Sequence, residues 1–132
     1  MTELARHPSA GRPVSMGVNG MVVSAHSLAS VAGLGVLADG GNAFDAAVTI
    51  GSTLAVVEPH MSGVGGIGVA LAYVASEGRT RSLDCSGRAP LAAEPSMFDE
   101  DSKDVGPLAP LIPGNVAGWL ALHERYGLMD LD

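Results

Sequence analysis

Gly40-Gly41-Asn42-Ala43-Phe44-Asp45-Ala46-Ala47-Val48 is the stretch from which the rest of the chain can be read. The two glycines stop one helix, because one of them can take the left-handed cap conformation. Asn42 then opens the next helix as its N-cap, and Asp45, three residues on, sets a carboxylate at the helix N-terminus. Upstream, Ser27 is the expected N-cap of the first helix, with Leu28, Val31, Ala32, Gly35 and Val36 recurring at three- and four-residue spacing. Downstream, the second helix runs to about Val57, where Glu58-Pro59 ends it, since the residue before a proline avoids the helical region. This helix is apolar on every face, which predicts burial. Its small residues allow neighbours to approach closely.

Outward from these helices, Met21 to Ala25 reads as a short β-prone strand after Gly20. His60 to Gly68 is a loop, and Val69 to Ala75 a strand whose mostly apolar run predicts burial on both faces. Glu77-Gly78 is a turn, and Thr80 to Asp84 is the second strand of a hairpin. Pro90, Pro95, Pro107, Pro110 and Pro113 keep Ser86 to Pro113 irregular. Val116 to Tyr126 is an amphipathic helix closed by Gly127. The order strand, helix, helix, strand, strand, helix is that of an α+β chain. Residues 1–16 are expected to form a disordered tail, and residues 17–132 the domain.

Composition narrows the function classes. Hydrophobic residues make up 47% of the 132 residues and charged residues 16%, so the chain can form a core. Aromatic residues are only 4%, and glycine is unusually frequent at 18 residues, so that core is made of aliphatic side chains and closely approaching backbone. The formal charge is −7 and no basic run occurs, which argues against nucleic acid or an anionic membrane surface as partner. The longest apolar run, Ala46 to Val57, is shorter than the roughly twenty residues of a membrane span. No apolar signal segment precedes Gly20, which favours the cytoplasm, with a periplasmic or extracellular location as the alternative if the true start lies elsewhere. Cys85 is the single cysteine, so an internal disulfide is excluded.

Motifs that carry chemistry are few. Gly63, Gly65 and Gly68 match G-x-G-x-x-G, but dinucleotide binding needs a strand before the loop and a helix after it. Here a helix precedes and a strand follows, so the plain reading is a tight turn, and the functional one a backbone-lined wall of an active site. His123-Glu124 begins like a zinc motif, but Gly127 stands where the second histidine is needed. No metal site and no cofactor are expected. Asp84-Cys85-Ser86-Gly87-Arg88-Ala89-Pro90 is the most suggestive polar cluster, leaving a strand end with an arginine beside a Ser-Gly turn. Such an arginine can hold a carboxylate bidentately, and its plain reading is a surface arginine on a turn.

In order along the chain, Gly20 to His26, Gly40 to Val48, Val57 to His60, Ser62 to Gly66, Ala89-Pro90, Met97-Phe98 and Pro113 to Gly118 resemble the γ-glutamyltransferase (γ-glutamyltranspeptidase) family. The resemblance runs from about Gly17 to the last residue. It implies an N-terminal-nucleophile (Ntn) hydrolase with an αββα sandwich, of which this chain is the N-terminal segment of the large subunit. In that family a proenzyme cuts itself, and the new N-terminal threonine of the small subunit attacks the γ-glutamyl amide. Water or an amino acid then resolves the acyl-enzyme. No Thr-Thr-His-type processing sequence occurs here, so no catalytic residue is assigned and the chain alone is expected to be inactive. The implied partners are a small-molecule amide or peptide substrate and the remainder of both subunits.

Two departures from the family pattern matter. Typical members carry Asp-x-Arg-Glu-x-Ala-Pro, and that arginine binds the substrate α-carboxylate. Here Ser86 holds the equivalent position and the arginine is Arg88, so Arg88 and Ser86 are the implied substrate-binding residues. The Ser-Gly-Arg-Ala-Pro form resembles a branch that includes hydrolases of other acyl amides. The family's Gly-Gly-Gly-Gly-Phe run is here Gly65-Gly66-Ile67-Gly68-Val69. The rival expectation is a truncated, non-catalytic product that associates into homo-oligomers through exposed apolar faces. The coding sequence after Asp132 separates the two, since only the first requires the rest of the family pattern there. A free-standing ligand-binding module is a third expectation, and ligand binding by the purified chain would favour it.

Overall fold

The computed structural model describes residues 14–61 and 63–131. Residues 1–13 of the expected tail, Ser62 of the glycine loop and Asp132 lie outside the described residues; residues 14–16 carry no regular element. Helix α1 spans Ser27–Ala38 and helix α2 Ala43–Val57. Strands β1 (Val69–Val74) and β2 (Arg79–Asp84) pair antiparallel from Val69 opposite Asp84 to Val74 opposite Arg79. Helix α3 covers Asn115–Tyr126. One-turn 3₁₀ segments lie at Ala75–Glu77 and Pro95–Met97. The described residues therefore form a mixed helix and sheet fold, and no helix is long and apolar enough to cross a membrane.

Several expectations need correction. Met21 to Ala25 is not a strand, because a strand needs a hydrogen-bonding neighbour and the described sheet has only β1 and β2. The N-cap of α1 is His26, one residue before Ser27: its Nδ1 accepts from the Leu28 N–H at 3.2 Å, as a serine hydroxyl would. Strand β1 is not buried on both faces; Val69, Leu71 and Tyr73 are exposed while Val74 is buried. Only one face of the hairpin turns toward the helices, so the apolar run has partners on one side alone. Helix α2 is likewise buried only in part, at Asp45 and Ala46, and Val56 is exposed, because α1 and α3 together cover less than its circumference.

The junction of α1 with α2 follows the glycine pair. Gly40 has φ +97, and the Gly41 N–H returns to Val36 O at 2.9 Å, closing α1 with orphan carbonyls satisfied. Asn42 and Asp45 then form a reciprocal capping box. Asn42 Oδ1 accepts from the N–H groups of Phe44 (2.7 Å) and Asp45 (3.1 Å), and Asp45 Oδ2 accepts from Asn42 N (2.8 Å). The same two side chains reach the far end of α3. Asn42 Nδ2 donates to Tyr126 O at 2.6 Å, and the Asp45 carboxylate accepts from Leu128 N at 3.1 Å and Met129 N at 3.5 Å. Phe44 stacks on Tyr126 with ring centroids 4.7 Å apart.

Asp45 is only 4% exposed. Burial pushes its carboxyl up, but the N–H groups of Asn42, Leu128 and Met129, with the neighbouring His123, together outweigh burial and hold it below the usual carboxylate value. An unfolded aspartate titrates near about 3.9. The stability Asp45 contributes is thus fully present above that pH and is lost as pH falls through the lower folded value. Asp45→Asn is expected to cost about 2 kcal/mol at neutral pH, as for hydrogen bonds to a charged group. It should also remove part of the acid sensitivity. Urea midpoints at pH 7 and pH 3 check both; a variant as acid-sensitive as the wild type would refute the assignment.

Candidate functional site

The hairpin ends open toward the start of α3. Gly68, just before β1, accepts at its carbonyl from Cys85 N and Cys85 Sγ, each at 2.9 Å, so the two strand ends are tied where the polar cluster begins. Asp84 ends β2, and its Oδ1 accepts from the Ser86 hydroxyl at 2.5 Å and the Ser86 N–H at 3.0 Å. The Ser86 hydroxyl foremost, and then its N–H, hold the Asp84 carboxyl below its ordinary range. The Ser86 hydroxyl is therefore directed back onto its own turn.

Gly87 reverses the chain at φ +81. A Cβ there would collide with Ile112 O, so the turn needs glycine on both conformational and steric grounds. Arg88 follows, its backbone in an antiparallel bridge with Ile112 whose N–H donates to Arg88 O at 2.9 Å. Its residue is exposed, and among the described residues its guanidinium makes no ion pair. Asp84, Cys85, Ser86, Arg88, Gly114 and Gly118 all line a cavity of about 420 Å³ between this turn and α3. The sequence-selected pair, Ser86 and Arg88, thus shares one cavity wall.

A larger cavity of about 550 Å³ lies between the hairpin and the later turns of α3, lined by Ala70, Ala72, Leu83 and Ala121 among others. Arg81, Ser82, Glu124, Arg125 and Tyr126 also line it, but none of the residues that the sequence singled out as substrate-binding does. The cluster around His123 is structural: His123 Nε2 bonds Met129 O at 2.6 Å and lies 3.7 Å from Asp45 Oδ1. Among the described residues no group of three His, Cys, Asp or Glu side chains is placed to hold a metal ion. One residue at the site was not singled out by its chemistry. Asn115, the first residue of α3, is 4% exposed and donates from Nδ2 to Gly63 O at 3.0 Å. In the sequence it is a polar amide directly after Pro113-Gly114, within the Pro113 to Gly118 block, with nothing local to show what it bonds.

Comparison with known proteins covers nearly all of this geometry. Residues 29–132 match the family model described as Gamma-glutamyltranspeptidase. The chain is 42% identical over 128 residues to a glutathione hydrolase proenzyme of Pseudomonas sp. (strain A14), covering 92% of this chain and 22% of that protein. The crystal structure of Helicobacter pylori gamma-glutamyltranspeptidase superposes with a TM-score of 0.84 at 40% identity, over 89% of this chain and 36% of that one. A cephalosporin acylase from Bacillus halodurans superposes with a TM-score of 0.83 at 31% identity, over 98% of this chain and 25% of that one. The chain spans about a fifth of the length of the curated relatives it matches.

The turn itself is open to test. Gly87→Ala combines a positive φ with a collision against backbone, and neither can relax through a flexible side chain. The expected loss is about 1–3 kcal/mol, with the Arg88–Ile112 bridge broken. Denaturant unfolding measures the first, and hydrogen exchange at the Ile112 amide measures the second. An unchanged midpoint with a protected Ile112 amide would contradict this account.

Proposed function

The chain belongs to the gamma-glutamyltranspeptidase family as an N-terminal part of the large subunit, and from that premise we propose that it supplies one wall of the acyl-binding pocket of an Ntn amide hydrolase with an αββα sandwich. In this reading the nucleophile is the N-terminal threonine of a small subunit that the present sequence does not include. Its own α-amine takes the hydroxyl proton, the oxygen attacks the amide carbonyl, and the amine leaves with a proton. Water or an amino acid then releases the acyl group.

The contribution of this chain is to bind and orient. Arg88 holds a carboxylate of the acyl group, and Ser86 stabilises the turn from which it projects. The observation that carries this reading is the exposed Arg88 at a cavity rim, whose backbone is fixed by Gly87 and Ile112 and whose guanidinium makes no ion pair among the described residues. A guanidinium fork suits a planar carboxylate better than a lysine would. The likeness to the cephalosporin acylase from Bacillus halodurans supports extending the acyl group beyond γ-glutamyl.

Two measurements test these statements. The purified 132-residue chain should release no anilide from a γ-glutamyl anilide; turnover above a heat-killed control would overturn the absence of a nucleophile. In the full-length enzyme, Arg88→Ala is expected to raise KM for carboxylate-bearing acyl amides by about tenfold or more with a smaller change in kcat, the pattern of a lost binding contact. An unchanged KM would remove Arg88 from the site.

A further inference from the structure

Asn115 stands at the convergence of three backbone segments. Its Nδ2 donates to Gly63 O, 52 residues earlier. On its other side, Oδ1 occupies the space that a side chain at position 68 would need, since a Cβ on Gly68 would lie 2.6 Å from it. Gly68 is the residue whose carbonyl holds both the amide and the thiol of Cys85. One position before Asn115, Gly114 lets Cys85 O and Gly87 N come against the helix start; a Cβ there would lie 2.6 Å from Gly87 N. The chain of contacts therefore runs from Asn115 through Gly68 and Cys85 to Gly87 and the backbone of Arg88.

This amide does nothing for its own helix. The N-cap of α3 is Gly114, with no side-chain cap bond, and the Asn115 bond runs outward to the glycine loop. A buried amide is costly unless its hydrogen bonds are made. The bond it makes fixes the loop, and the space it fills sets the position of Gly68 beside Cys85.

We propose that Asn115 is a positioning residue for substrate binding: by clamping the Gly63–Gly68 loop to the start of α3, it sets the direction in which the Ser86–Arg88 turn presents its guanidinium. This rests on the reading of Arg88 as the carboxylate anchor. Asn115→Asp keeps the shape and Oδ1 but replaces the donor with an oxygen facing Gly63 O.

In the full-length enzyme, Asn115→Asp should raise KM for a carboxylate-bearing acyl amide about tenfold and leave kcat within about twofold. Combined with Arg88→Ala, it should add nothing to the KM of that single variant, because both act through one contact. Effects that multiply, or a fall in kcat with KM unchanged, would overturn the proposal.

Trypsin gives a readout on the chain itself. Asn115→Asp should speed cleavage after Arg88 about tenfold and leave cleavage after Lys103 unchanged, since local opening governs the rate. Equal rates after Arg88 in both proteins would overturn the positioning role. If Arg88→Ala leaves KM unaltered while Asn115→Asp still speeds that cleavage, the clamp stands and the carboxylate reading falls. Asn115→Ser, too short to reach Gly63 and uncharged, should reproduce the cleavage result where the aspartate variant is insoluble.

Discussion

The Asp45 carboxylate holds three chain directions in one place. It closes the capping box with Asn42, and it accepts from the first free N–H groups beyond α3. An α2 N-terminus therefore doubles as the receptor for an α3 C-terminus, with Leu128 lying 83 residues after Asp45. A negative side chain is favoured at the positive end of the α2 dipole, and beside the negative end of α3 the donated N–H groups of Leu128 and Met129, with His123, offset the unfavourable dipole. Asn42 completes the joint by donating to Tyr126 O, one of the carbonyls that the end of a helix leaves free. Phe44 stacked on Tyr126 adds an apolar contact beside these bonds.

With its C-terminal end fixed there, α3 acts as a strut whose N-terminal end lies against the hairpin. Few side chains cushion that second contact. Gly114 and Gly68 permit backbone to meet backbone and the Asn115 amide, so the spacing between α3 and the Ser86–Arg88 turn is set by covalent geometry more than by adjustable rotamers. A turn defined in this way varies little in direction. That property suits a group that must meet one carboxylate at a fixed distance from a reacting carbonyl. The glycine surplus of the composition is thus concentrated where the candidate site is formed.

The local signals were largely legible. Gly40-Gly41, Asn42 and Asp45 gave the α1–α2 joint, Glu58-Pro59 the end of α2, and the Glu77-Gly78 turn the hairpin, because each of these depends on neighbours within a few residues. What escaped depends on distant partners. The Met21 to Ala25 segment has strand propensity but no adjacent strand among the described residues. The apolar run of β1 suggested two covered faces, yet Leu71 and Tyr73 face outward, since a periodicity reports what a face can bury and not what lies against it. Asn115 escaped for the same reason. Its sequence neighbourhood reads as a helix start, and only the fold shows that its amide is paid for by Gly63, far back along the chain.

The displaced arginine can be understood from the same geometry. If Arg88 were merely the family arginine slipped by two residues along an unchanged strand, it would remain on the same face, since side chains alternate with period two. The strand does not continue: β2 ends at Asp84, Ser86 folds back onto the Asp84 carboxylate, and Gly87 turns the backbone at φ +81. Arg88 therefore leaves from a turn beyond the strand, pinned to Ile112 instead of to β1. On the proposed reading, its guanidinium approaches the acyl group from a new origin, and the group it accepts must fit that origin. On that reading a change of acyl specificity requires no change in the nucleophile, because the group accepted is set by the turn that carries Arg88.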